Sequence, residues 1–142
     1  VLVAAFDMVL ARYSGNNDVV IGTPIAGRGR TELEGLIGFF INTLVLRTSV
    51  DGNPTFRELL RRVRQTSLDA YAHQDLPFEK LVEVLGPQRN RSYSPIVQVL
   101  FTVHNQPVNL FTLDGLKVET VDVGNDTAKF DLSVHVAHRE GK

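Results

Sequence analysis

The sequence predicts an α/β or α+β domain, a mixed sheet with flanking helices. Three observations carry this reading. Segments of helical period and segments of strand character follow one another along the chain instead of separating into blocks. Phe130, Leu132, Val134 and Val136 alternate without a break with Asp131, Ser133 and His135, as in a half-buried strand. Phe56, Leu59, Leu60, Val63 and Ala70 recur at helical spacing, with Arg57, Arg61, Arg62 and Arg64 on the wet side. At 142 residues, 43% of them hydrophobic, the chain has the size and the apolar content of one globular domain or a piece of one.

The elements follow in order. Leu2, Phe6, Val9, Leu10 and Tyr13 share one helical face, and Ser14-Gly15-Asn16-Asn17 stops that helix. A short strand, 18–23, is expected to end at Pro24, and residues 26–35, rich in Gly, Arg and Glu, read as an exposed loop. Ile37 to Val50 is apolar and β-branched and reads as a buried strand, closed by the turn Asp51-Gly52-Asn53-Pro54. The arginine-sided helix covers Thr55 to Tyr71. Asp75 ahead of Pro77 suits the first turn of another helix, with Phe78, Leu81, Val82 and Leu85 as its apolar stripe and Gly86-Pro87 as its end. Ile96 to Val103 reads as an inner strand, and Leu116 to Val123 and Phe130 to Val136 as further strands.

Composition removes several classes of function. Fifteen Lys and Arg against sixteen Asp and Glu leave a formal charge of −1 with no basic tail, which disfavours nucleic-acid binding and electrostatic membrane attachment. There are no cysteines, hence no disulfide, thiolate metal site or cysteine nucleophile, which fits a reducing, cytoplasmic setting. No apolar run reaches the ~18 residues of a spanning helix. The sequence opens inside an apolar helical pattern without an initiator Met and closes just after a strand pattern, so a piece of a longer protein is expected.

Candidate chemistry is sparse. His135 and His138, three apart on a strand pattern, point to opposite faces and make a poor metal pair; His104 reads as a satisfied hydrogen-bonding residue. In His73-Gln74-Asp75-Leu76-Pro77-Phe78-Glu79, helix-start chemistry is the favoured reading: Asp75 caps the amides and Glu79 meets the positive end of the dipole. No phosphate-cradling glycine motif and no Gly-x-Ser-x-Gly elbow occurs. Asn42-Thr43 interrupts an otherwise apolar stretch, and polar groups there form either a structural hydrogen-bond pair or the lining of a tunnel.

The stretch Ile37-Gly38-Phe39-Phe40-Ile41-Asn42-Thr43-Leu44-Val45-Leu46-Arg47 resembles the Gly-x-Phe-Val-Asn-Thr signature of condensation domains of non-ribosomal peptide synthetases. His73 to Glu79 is similar to that family's next motif at every characteristic position. Arg89-Asn90-Arg91-Ser92-Tyr93-Ser94-Pro95-Ile96 is similar to the third, Arg-Asp-x-Ser-x-x-Pro-Leu, departing at Asn90 and Ile96. Ile21 to Arg28 and Thr127 to Leu132 also read as family segments, in the family's order. The resemblance covers nearly the whole chain.

It implies a chloramphenicol-acetyltransferase-like fold of two lobes around a tunnel, of which residues 1–142 would be the C-terminal lobe. The family's His-His-x-x-x-Asp-Gly signature, borne by the N-terminal lobe, is absent from this sequence. No catalytic residue is therefore expected here, and no metal or cofactor is expected to bind. The implied reaction is amide formation between thioesters carried on phosphopantetheine arms, in antibiotic and other secondary-metabolite synthesis. The implied partners are the N-terminal lobe, donor and acceptor carrier proteins and an adjacent adenylation domain. Asn42, Thr43 and Gly38 are the tunnel candidates. His73, Gln74, Asp75, Pro77, Phe78, Glu79, Arg89, Ser92 and Pro95 are expected to be structural. A non-catalytic docking lobe, and an epimerisation or heterocyclisation domain of the same superfamily, are the alternatives.

Overall fold

The computed structural model describes residues 1–87, 92–104, 115–118, 121 and 127–137. Helix α1, Leu2–Ser14, is closed by Gly15 in the left-handed conformation, its N–H donating to the Ala11 carbonyl. Strand β1, Asp18–Ile25, runs antiparallel to β2, Asn42–Ser49, in continuous register from Asp18↔Ser49 to Ile25↔Asn42. A single 3₁₀ turn, Thr31–Leu33, lies in the loop between them. Helix α2, Phe56–Ala72, starts on a capping box: Thr55 accepts from the Glu58 N–H while the Glu58 carboxylate accepts from the Thr55 N–H. Helix α3, Phe78–Leu85, precedes β3, Val99–His104, and β4, Leu132–Ala137. Among the described residues the sheet order is β2-β1-β3-β4, with β3 parallel to both β1 and β4, so the sheet is mixed as expected.

The core lies between α1, α2 and the sheet. Ala11, Val19, Ile21, Leu46 and Phe101 form one buried cluster; Ala4, Leu59 and Val63 form a second that joins the two helices. Phe6 meets Phe101 with ring centroids 5.2 Å apart. Gly22 permits the closest approach within the sheet: a Cβ there would stand 2.7 Å from Val97 Cγ1 and 3.3 Å from the Thr43 methyl. Fully burying a side chain such as Leu59 contributes about 1.5–3 kcal/mol.

Five expectations are corrected. Of the expected α1 face, Phe6 and Leu10 pack against the core but Leu2, Val9 and Tyr13 are exposed; the fully buried residues are Ala4, Asp7 and Ala11, because small Ala11 lets the helix approach the sheet and small Ala4 lets it approach α2. Pro24 does not end β1; its pairing partner Thr43 donates its N–H to the Asn42 side chain, and the pairing of β1 with β3 is confined to Gly22↔Leu100. Residues 37–41 are not strand. β1 ends opposite Asn42, so they have no ladder to join, and Ile37, Phe39 and Ile41 are exposed. Asp75 does not cap α3: Pro77 is the N-cap residue, with no side-chain cap bond. β3 begins at Val99 instead of Ile96, because Ile96 takes a left-handed conformation (φ 65°) in a tight turn where the Val97 N–H meets the Pro95 carbonyl at 2.7 Å. Within the expected strand 116–123, Leu116 makes an isolated bridge, and much of the rest lies outside the described residues.

Candidate functional site

The two sequence stretches that stand out chemically, 37–47 and 73–79, meet at one side chain. Asn42 opens β2 opposite the last residue of β1, which aims its amide at the turn between α2 and α3. Its Nδ2 donates to the carbonyls of Gln74 at 2.9 Å and Leu76 at 2.8 Å. Its Oδ1 accepts from the N–H of Thr43 at 2.8 Å and of Phe78 at 3.0 Å. An asparagine amide has two donor hydrogens and two acceptor lone pairs, and Asn42 uses all four. Two carbonyls converge on one end of the group and two N–H groups on the other. Neither a carboxylate nor a hydroxyl could serve both ends. Asn42 is also the cap of α3: the Phe78 N–H is one of the amides that a helix start leaves unpaired, and it is satisfied from the sheet.

The neighbours extend this corner. His73 closes α2, its Nδ1 lying 2.9 Å from the Asp69 carbonyl. The His73 carbonyl accepts from the Leu76 N–H at 3.1 Å, and the Pro77 carbonyl accepts from the Lys80 and Leu81 N–H groups. Gln74 contributes its carbonyl, while Asp75 and Glu79 are exposed, the latter in the first turn of α3, where a carboxylate is favoured by the dipole. Thr43 presses its methyl toward Gly22, and its hydroxyl makes no hydrogen bond among the described residues.

The 37–41 segment is held from its other end. A Cβ on Gly38 would meet the Phe40 ring at 2.9 Å, so the ring folds over a position that only glycine leaves open. The Arg28 guanidinium lies 4.4 Å from the centre of that ring and donates through Nη1 to the carbonyls of Leu33 and Glu34. Arg28 is thereby committed to its own loop. Arg47 makes a bidentate pair with Asp18, 2.7 Å at the shortest, and its guanidinium holds the Asp18 carboxyl below the usual carboxylate range.

The third motif is partly outside the described residues, Arg89 included. Ser92 is exposed. Ser94 donates to the Lys129 carbonyl at 3.0 Å, and Gln98 donates to the Ser94 carbonyl and accepts from the Asp131 N–H. These bonds fix the approach to β3 and β4. Pro95 contributes the carbonyl of the Ile96 turn.

One polar group escaped the sequence reading. Asp7 is 1% exposed, its Oδ2 has no hydrogen-bond partner among the described residues, and burial pushes its carboxyl up to about 6 against the opposing hydrogen bond from Thr48. The signal was an acid flanked at helical spacing by Ala4 and Ala11. Asp7 sits within the helix–sheet core, away from the Asn42 corner. Among the described residues no three His, Cys, Asp or Glu side chains could hold a metal, and no helix is long and apolar enough to cross a membrane.

The corner thus presents polar groups fixed in place beside an exposed apolar edge, Ile37, Phe39 and Ile41. The mixed sheet flanked by helices is shared with solved condensation domains, whose fold is chloramphenicol-acetyltransferase-like. It matches the first condensation domain of the CDA synthetase with a TM-score of 0.63 and 24% identity, over 73% of this chain and 23% of that one. It also matches the X-domain in the complex of the X-domain and OxyB from teicoplanin biosynthesis, with a TM-score of 0.85 and 32% identity, over 97% of this chain and 30% of that one. One of the linear gramicidin synthase proteins of Brevibacillus parabrevis is 54% identical over 138 residues, which is 96% of this chain and 3% of the relative. The profile of the Condensation domain family matches residues 1–142. The chain belongs to the Condensation domain family of non-ribosomal peptide synthetases, and it spans a few per cent of the length of such a curated relative.

Proposed function

We propose that residues 1–142 are the C-terminal lobe portion of an amide-forming condensation domain and supply one wall of its substrate tunnel without supplying its chemistry. The observation that carries this reading is the Asn42 corner, which locks the two family-like stretches to each other through four hydrogen bonds of a side chain that does not titrate. The His-His-x-x-x-Asp-Gly pattern does not occur in the sequence, and the N-terminal lobe would bring it.

In the proposed reaction the α-amine of an acceptor aminoacyl group attacks the carbonyl of a donor thioester. A C–N bond forms, the C–S bond breaks, the donor arm leaves as a thiol, and the amine loses a proton. A free α-amine with a pKa of about 7.7–8.0 is already about a quarter to two-fifths neutral near pH 7.5, so alignment of two tethered reactants is the larger requirement. Such alignment supplies up to ~7–11 kcal/mol. Phosphopantetheine arms of donor and acceptor carriers bring the reactants, and an adenylation domain loads them. Gly38, Asn42 and Thr43 contribute to the wall: Asn42 by position, Thr43 through its hydroxyl, and Gly38 by admitting the Phe40 ring. A cytoplasmic setting is part of the same proposal.

A second reading, a non-catalytic docking lobe, is favoured by the likeness to an X-domain whose solved structure is a complex with OxyB. A condensation assay read by intact-protein mass spectrometry separates the two. Loaded donor and acceptor carriers are given the chain alone, or the chain with the N-terminal lobe of its synthetase. Amide formed only with both lobes supports the wall reading. Amide from the chain alone overturns it, and no amide from the assembled lobes favours docking.

A further inference from the structure

Strands β3 and β4 bring together two histidines that lie thirty-one residues apart. The parallel register sets Thr102 against His135 and His104 against Ala137, so the two imidazoles are diagonal neighbours. His104 Nε2 and His135 Nδ1 are 3.2 Å apart, with the ring planes 18° from parallel and the centroids 5.5 Å apart. The centroid separation exceeds the nitrogen separation by about two ring radii, so the rings meet edge to edge across a shared N–H. Both side chains are exposed to solvent.

We infer that His104 and His135 form a two-imidazole chelate for a divalent transition metal on the β3–β4 edge, a site separate from the Asn42 corner. Two nitrogens each about 2.0–2.1 Å from one ion stand about 2.8–3.4 Å apart, for angles from a right angle to tetrahedral. The observed 3.2 Å falls inside that window. Binding requires each exposed ring to turn until its lone pair leaves the nitrogen–nitrogen line. The shared N–H proton then moves to the opposite nitrogen of its own ring, a change of tautomer without change of charge. Water completes the coordination, since no third His, Cys, Asp or Glu joins the pair among the described residues. Imidazole donors select Cu²⁺, Ni²⁺ and Zn²⁺ over Mg²⁺ and Ca²⁺, with Cu²⁺ bound most tightly. The metal would clip β4 to β3.

The test uses the complete condensation domain that contains this chain, titrated calorimetrically with Cu²⁺ and separately with Mg²⁺. Wild type, His104→Ala, His135→Ala and the control His73→Ala are compared, and electron paramagnetic resonance counts the nitrogens on copper. The expected result is one Cu²⁺ equivalent with two-nitrogen coupling that is lost, or weakened at least ten-fold, in either strand variant and kept in His73→Ala, with no Mg²⁺ uptake. If an alanine variant fails to fold, His135→Gln, which keeps volume and polarity, takes its place. Copper stoichiometry and spectrum unchanged by both strand substitutions, or no copper bound by wild type, overturn the inference.

Discussion

Replacing Asn42 with alanine removes four hydrogen bonds at once and isolates the device that joins β2 to the α2–α3 turn. A net 0.5–1.5 kcal/mol for each bond gives a range of about 2–6 kcal/mol. The corner is only half buried, and water can reach the freed carbonyls of Gln74 and Leu76, which places the expected loss at the lower end, ~2–3 kcal/mol. With a urea slope of about 1–3 kcal/mol per molar, the unfolding midpoint falls by roughly 1 M. Urea denaturation followed by far-UV circular dichroism measures this. Asn42→Asp tests the geometry further. The carboxylate keeps both acceptor bonds but faces two carbonyl oxygens with no hydrogen to give, so it does not restore stability. A loss below ~0.5 kcal/mol for alanine, or full rescue by aspartate, would refute the view of Asn42 as a four-bond hub.

Asp7 governs a pH dependence. Its folded pKa of about 6 lies above the ordinary 3.8, so the folded state holds the proton more tightly; the Asp7 contribution to stability is greatest below pH 3.8 and falls by ~3 kcal/mol as pH rises through about 6. Asp7→Asn flattens that slope and raises stability at pH 7, as read from unfolding midpoints between pH 4 and 8. Thr55→Ala removes the N-cap of α2 and costs ~1 kcal/mol in the same denaturation assay. Gly22→Ala drives a methyl against Val97, which is fully buried, and lowers stability by about 1–3 kcal/mol; a neutral result would mean that the sheet relaxes there.

Much of this architecture was legible before any coordinate. The period of Leu59 and Val63 located α2, and the alternation around Val134 located β4. Failures came where local hydrophobicity has two structural outcomes. Ile37 to Ile41 reads as strand because apolar residues usually seek a ladder, yet β1 ends opposite Asn42 and offers none. The bulky residues of α1 overshadow Ala4 and Ala11, whose smallness lets the helix sit against α2 and against the sheet respectively. Asn42 was visible as a polar break. Its partners were not, because they lie thirty-two to thirty-six residues away and depend on the α2–α3 turn returning to β2. Asp75 seemed the natural cap by sequence adjacency, but the sheet supplied the cap instead. The His104–His135 pair required a parallel register that no local pattern encodes.

The central claim is that the family-like residues of this chain act by position and take no part in proton transfer. The direct measurement is the single-turnover rate of amide formation, across pH, by a complete condensation domain carrying Asn42→Ala, at a temperature where circular dichroism reports it folded. A lowered rate with the wild-type pH profile is the predicted result. An unchanged rate, or a profile whose inflections move, would contradict the claim.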